Sequence, residues 1–169
     1  MHMKFMPAWY LLYTKPKHER RVAEQLEKKN IPLYLPLMKV KRQWHDRMKV
    51  VNMPMFPSYI FVELGNHGDY FESLNCDGTV CFVSVGKESA RVRPDVINNL
   101  KLVVDKGSDV EVCPDNFNAG QRCVINEGVF GGQECEVVEY KNKQKVIVRI
   151  ELLQRTVLAT LPCLLLAQS

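Results

Sequence analysis

The sequence predicts an α+β domain followed by a small all-β module, and three observations carry that reading. Residues 1–106 alternate strongly β-prone runs with stretches of helical apolar spacing. Residues 118–169 instead hold short, evenly spaced, alternating runs separated by polar turns, the pattern of a small β-barrel. Between them, residues 107–117 are polar, acidic and aperiodic, as a linker would be.

Each element follows from local chemistry. Trp9-Tyr10-Leu11-Leu12-Tyr13 is aromatic and apolar without a break, which suits a central strand buried on both faces. Pro16 fits the first turn of a helix, where its missing N–H costs nothing. From Lys17 to Lys29 the apolar residues thin to Val22, Ala23 and Leu26, a narrow stripe with a broad basic surface around it. That helix stops at Asn30, before Pro32. Leu33 to Lys41 reads as a strand whose Pro36 marks an edge or a bulge, and basic Lys39 to Lys49 reads as a hairpin tip with one aromatic. Met53 to Leu64 is a turn with two prolines leading into a β-prone run. Asp69 to Cys76 predicts a short helix and Val80 to Val85 a further strand. After Pro94, the residues Val96, Ile97, Leu100, Val103 and Val104 recur at helical spacing until Gly107. Arg122–Ile125, Glu134–Tyr140, Lys145–Glu151 and Arg155–Leu161 are the alternating strands of the second module, with the final Leu-Pro-Cys-Leu-Leu-Leu placed to close it.

Composition bounds the function. At 169 residues, 46% hydrophobic and 25% charged, the chain has the make-up of a soluble globular protein. Its longest charge-free stretch, Thr156 to Ser169, is too short to span a bilayer, and the N-terminal residues lack a secretory cleavage pattern. The 6 cysteines include no C-x-x-C pair, and no histidine falls at ligand spacing from two of them, so the expectation is buried free thiols in a reducing cytoplasm and no metal. Net charge is +4 but segregated. Residues 1–60 carry 12 Lys and Arg against 4 acidic residues, whereas residues 61–116 carry 5 against 10. Such asymmetry points the first third toward nucleic acid.

Catalysis has no support. His18-Glu19 and His45-Asp46 pair an imidazole with a carboxylate, but sequence neighbours point apart. There is no G-x-S-x-G elbow and no phosphate-cradling G-x-x-x-x-G-K. No catalytic residue and no cofactor are expected.

Trp9-Tyr10-Leu11-Leu12-Tyr13, Glu19 in the following helix and Phe56-Pro57-Ser58-Tyr59-Ile60-Phe61-Val62 resemble the N-terminal domain of the NusG family. Gly120 to Gly128, with Phe130-Gly131-Gly132 after it, resembles a KOW motif, and together the two cover nearly the whole chain in the family's order. The resemblance implies a NusG-like α/β sandwich at 1–106, a linker at 107–117 and a small SH3-like KOW β-barrel at 118–169. It implies a cytoplasmic, monomeric transcription elongation factor that lays an apolar surface on the β′ clamp helices of bacterial RNA polymerase, reaches toward the β subunit and suppresses pausing. The KOW domain would recruit a ribosomal protein or the termination factor Rho. Tyr13, Phe56, Tyr59, Phe61 and Phe82 are the expected polymerase-facing aromatics.

Leu11-Leu12-Tyr13 followed by Lys15, and the basic first helix, are similar to the specialised RfaH and UpxY-type antiterminators of polysaccharide operons. That implies contact with the non-template DNA strand through Lys15, Arg21, Gln25, Lys28 and Lys29. Three positions depart from the pattern. Asp69-Tyr70-Phe71-Glu72 stands where RfaH has a Thr-rich turn toward the β subunit, Asp77 replaces an Arg beside the DNA, and Cys135 replaces a Gly of the KOW repeat. The alternative reading is a KOW-containing RNA-binding module of the translation apparatus.

Overall fold

The computed structural model describes residues 5–125, 131–161 and 166–168, and the chain forms two compact units, Met1–Arg93 and Pro94–Ser169. The first unit is organised by the Trp9-to-Tyr13 run. It lies in strand β1 (Ala8–Thr14), where Leu11 and Leu12 point to opposite faces and are both fully buried. β1 is flanked by β5 (Tyr59–Leu64), which pairs outward with β2 (Leu33–Tyr34). On its other side it pairs with β6 (Thr79–Phe82) and β9 (Arg91–Val92), every pairing antiparallel.

Helices α1 (Glu19–Lys28) and α2 (His67–Leu74) belong to the same unit as this sheet. Val22, Ala23 and Leu26 of α1 join Tyr10, Leu12, Ile60, Val62 and Phe82 in one core cluster. α1 starts two residues later than Pro16 predicts, because Lys17 adopts φ 64 and makes a turn instead. Gly78 allows that turn to sit close. A Cβ there would lie 2.9 Å from His18, and its carbonyl accepts the Lys15 N–H at 2.8 Å. The C-terminus follows expectation: Asn30 takes φ 57, and the N–H of buried Ile31 reaches back to the Leu26 carbonyl at 3.0 Å.

Pro36 divides the expected Leu33-to-Lys41 strand. β2 ends at Tyr34, and β3 (Leu37–Trp44) pairs with β4 (Arg47–Pro54) as a separate two-stranded ribbon with only His45 and Asp46 at its tip. The expected Val80-to-Val85 strand likewise splits into β6 and the two-residue β7 (Ser84–Val85), which pairs with β8 (Glu88–Ser89).

The turn from β4 into β5 is fixed by a buried carboxylate. Glu19, in the first turn of α1 and 6% exposed, accepts the Ser58 N–H at 2.7 Å. The Ser58 carbonyl accepts the Thr14 N–H at 2.8 Å, so both backbone groups of this residue are held while its φ is 70. A buried carboxylate satisfied by an amide is stable only while that amide stays in place.

In the second unit, α3 (Pro94–Lys106) packs on a six-stranded antiparallel sheet in the order β10-β14-β13-β12-β11-β15. The strands are β10 (Ser108–Pro114), β11 (Gln121–Ile125), β12 (Glu134–Tyr140), β13 (Lys143–Ile150), β14 (Arg155–Thr160) and β15 (Leu166–Gln168). Two expectations change here. The compact units divide at Arg93/Pro94, so α3 falls with the second, and most of the expected 107–117 linker is strand β10, paired with β14 from Ser108↔Thr160 to Pro114↔Arg155. Val110, Val112 and Cys113 supply enough half-buried surface for an edge strand despite the acidic composition. Residues Asn126 to Gly128 and Phe130 of the KOW motif, and Pro162 to Leu165 of the expected closing segment, lie outside the described residues.

Arg149 on β13 ties this unit's loop to its sheet. Its guanidinium bonds Glu136 through two nitrogens at 3.1 and 2.9 Å and reaches Asp115 at 2.7 Å. It also donates to the carbonyls of Phe117 and Asn118, while Glu136 accepts the Gly120 N–H at 2.7 Å. The hydrogen bond from Arg149 holds the Glu136 carboxyl below its ordinary value.

These anchors give three stability predictions. Glu19→Ala leaves the Ser58 amide without its partner and should cost about 2 kcal/mol in urea unfolding. Arg149→Met should destabilise the second unit by a similar amount, roughly 2 kcal/mol, because a charge-assisted network is cut. The Glu136 contribution is complete above the ordinary glutamate range and disappears as pH falls through the lowered value. Acid melts of the wild type should therefore lose more stability over that window than melts of Glu136→Gln.

Candidate functional site

Tyr13 and Tyr59 are directly opposed across the β1–β5 ladder, with ring centroids 5.3 Å apart. Both are half-buried, so each presents part of an aromatic ring on the face of the sheet opposite Leu12 and Ile60. Exposed Cys81 is the β6 partner of Tyr13 and continues this face. The position of Tyr59 is set from behind. The Glu19–Ser58 bond fixes the residue before it, and the Tyr59 N–H donates to the Phe56 carbonyl at 3.1 Å.

The other expected surface aromatics are core. Phe56 is 4% exposed and packs edge-on against Phe61 at 6.1 Å. Phe61 shares the face of Tyr59 but is fully buried, with the ring of Tyr34 also near it, at 6.5 Å. Phe82 pairs with Leu12, which turns it to the opposite face, where it stacks on Tyr70 at 4.9 Å. Alternation placed Tyr59 and Phe61 together but gave no measure of depth; Phe61 meets the rings of Phe56 and Tyr34.

The basic helix is more occupied than its composition suggests. Arg21 pairs with Asp77 at 2.5 Å, and Lys29 pairs with Glu72. That hydrogen bond to Glu72 raises the Lys29 ammonium above its ordinary value. Gln25 exchanges two hydrogen bonds with the Asp77 backbone, donating to its carbonyl at 3.0 Å and accepting its N–H at 2.9 Å. Arg21, Gln25 and Lys29 thus clamp α1 to residues 72–77. Lys15 and Lys28 are exposed and make no ion pair with an acidic side chain among the described residues. Asp77, singled out in the sequence as a departure, is the residue that neutralises Arg21.

The β3–β4 ribbon is not among the sequence-predicted site residues. Its cross-strand pairs Arg42↔Lys49 and Trp44↔Arg47 bring three cations and an exposed indole to one face near the tip. The signal was present in the Lys39-to-Lys49 composition, but register was needed to put these side chains side by side.

The described thiols differ from the expectation of uniform burial. Cys76, Cys123 and Cys135 are buried, Cys113 is half-buried and Cys81 is exposed, while Cys163 lies outside the described residues. Cys123 and Cys135 face each other across β11 and β12, and burial pushes the Cys135 thiol up to about 11. Among the described residues, no group of His, Cys, Asp or Glu is arranged to hold a metal ion, and no helix is long and apolar enough to cross a membrane.

Residues 7–101 match the family model described as transcription termination factor nusG. The transcription termination/antitermination protein NusG of Lactococcus lactis subsp. lactis (strain IL1403) is 24% identical over 166 residues, covering 90% of this chain and 88% of the relative. The NusG of Streptococcus pyogenes serotype M1 is 23% identical over 151 residues, covering 83% of this chain and 84% of the relative. Among solved structures, one titled "Domain interaction in Thermotoga maritima NusG" aligns with a TM-score of 0.50 at 22% identity, over 92% of this chain and 93% of that one, which supports the fold. The family match spans the sheet, α1, α2 and the Glu19-anchored turn, and this chain belongs to the NusG family of transcription factors.

Proposed function

We propose that the chain is a transcription elongation and antitermination factor whose first unit binds the β′ clamp helices of RNA polymerase and suppresses pausing or termination. The observation that carries this reading is the Tyr13–Tyr59 pair, half-exposed on a sheet face and held from behind by the Glu19–Ser58 bond. Rigid, partly exposed aromatics bury large area on docking with few rotamers to freeze. Phe61 is buried on the same face, packed against Phe56, and Phe82 belongs to the core on the other face.

Within the family, the reading favours an operon-specific paralogue of the RfaH or UpxY type, acting on polysaccharide biosynthesis operons as a cytoplasmic monomer. Lys15, ahead of α1, and Lys28, at its end, meet the non-template DNA strand, with Arg21, Gln25 and Lys29 holding the helix in place. The second unit recruits a ribosomal protein or Rho.

The test is binding of the full chain to a stalled elongation complex. Tyr13→Ala with Tyr59→Ala should weaken binding at least about tenfold, or about 1.4 kcal/mol, while leaving the melting temperature nearly unchanged. Phe61→Ala should instead cost about 3–5 kcal/mol of folding stability, as expected for a buried Phe. Undiminished binding by the tyrosine double variant would reject the surface.

A further inference from the structure

We propose that the β3–β4 ribbon is a binding element for duplex DNA, with Arg42, Arg47 and Lys49 as its phosphate contacts. The inference is independent of the polymerase reading, because it is tested without polymerase.

The ribbon, Leu37–Trp44 and Arg47–Pro54, carries Lys39, Lys41, Arg42, Arg47 and Lys49 against Asp46 alone. Among the described residues none of these five cations forms an ion pair with an acidic side chain. That sets it apart from α1, where Asp77 and Glu72 neutralise Arg21 and Lys29. The register places Arg42 directly opposite Lys49, and the next pair on that face is Trp44 with Arg47. Like charges directly opposite in a ladder destabilise it, and no acidic neighbour relieves them here. A polyanion would.

Shape selects the polyanion. A two-stranded antiparallel ribbon fits the major groove of B-DNA, about 12 Å wide. Arms of 8 residues, at about 3.4 Å each, run along most of one helical turn. The deep, narrow major groove of duplex RNA does not admit such a ribbon. Single-strand binders stack successive bases on several aromatics, whereas Trp44, 58% exposed, is the one aromatic side chain of this ribbon. The Lys49 ammonium lies 6.0 Å from the Trp44 ring, so the indole steadies a cation near the tip. At the base, Arg20 of α1 donates to the Asn52 carbonyl at 2.7 Å and ties the ribbon to the helix.

Fluorescence anisotropy of the full chain with a labelled duplex, from low to moderate salt, tests the assignment. Arg42→Ala, Arg47→Ala and Lys49→Ala together should weaken binding at least tenfold at low salt. They should also flatten the salt dependence by up to about 2.7 log units per log unit of salt, at roughly 0.9 for each lost phosphate contact. The charge-keeping triple Arg42→Lys, Arg47→Lys and Lys49→Arg should retain both affinity and slope. A control triple that removes the same charge elsewhere, Lys101→Ala, Lys106→Ala and Lys143→Ala, should change affinity less than twofold. An unchanged salt slope in the ribbon triple, an equal loss in the control, or no duplex binding by the wild type would overturn the proposal. Equal or tighter binding of single-stranded DNA or of a hairpin RNA would also overturn it.

Discussion

Glu19 is buried in the first turn of α1, yet its carboxylate serves a different element, accepting the Ser58 N–H at 2.7 Å. Ser58 sits at φ 70, between Pro57 and the strand that begins at Tyr59, and its carbonyl is bound by Thr14 at the end of β1. Helix α1, the central strand and the entry to β5 therefore meet at one residue. If that bond is lost, a carboxylate is left buried without a donor and a left-handed backbone is left without support. The depth difference between Phe56, which turns inward, and Tyr59, which stays half-exposed, is set at this turn. The proposed docking surface depends on it.

The distribution of positive charge has a second constraint. In sequence the basic character is shared between the α1 segment, with Lys17, Arg20, Arg21, Lys28 and Lys29, and the segment with Lys39, Lys41, Arg42, Arg47 and Lys49, but Arg21, Gln25 and Lys29 are spent holding residues 72–77 against the helix. Asp77 accounts for this in two ways, through its carboxylate to Arg21 and its backbone to Gln25. Among the described residues of the first sixty, Lys15, Lys17, Arg20, Lys28 and the five cations of the β3–β4 ribbon make no ion pair with an acidic side chain. In the proposed reading, the helix and the ribbon would offer a polyanion two places of contact, apart from the Tyr13–Tyr59 face.

Much of this was legible in the sequence. An unbroken Trp9-to-Tyr13 run is what a strand buried on both faces requires, and β1 occupies the centre of its sheet. The apolar stripe of Val22, Ala23 and Leu26 predicted the buried side of α1, and Asn30 its end. Other features depended on tertiary information. Lys17 takes the left-handed conformation in a turn that packs its neighbour His18 against Gly78, a contact no local pattern reveals. Ser108–Pro114 looked like a linker because its acidic residues masked a weak alternation, and it became a strand because β14 offered an unpaired edge. In the candidate site, alternation identified which residues share a face but not their depth, so Phe61 and Tyr59 were indistinguishable until Phe56 and Tyr34 were seen to pack against Phe61. Charge composition located basic segments but not their partners, which is why Arg21 and Lys29 read as free.

The most direct test of the central claim is site-specific photo-crosslinking within a stalled elongation complex, with a photoreactive phenylalanine analogue in place of Tyr59 and, separately, of Glu63 on the same strand. The account predicts a crosslink from position 59 to the β′ clamp helices, lost when Glu19→Ala releases the Ser58 turn. A crosslink from position 63 but none from position 59, or one from 59 that survives Glu19→Ala undiminished, would contradict it.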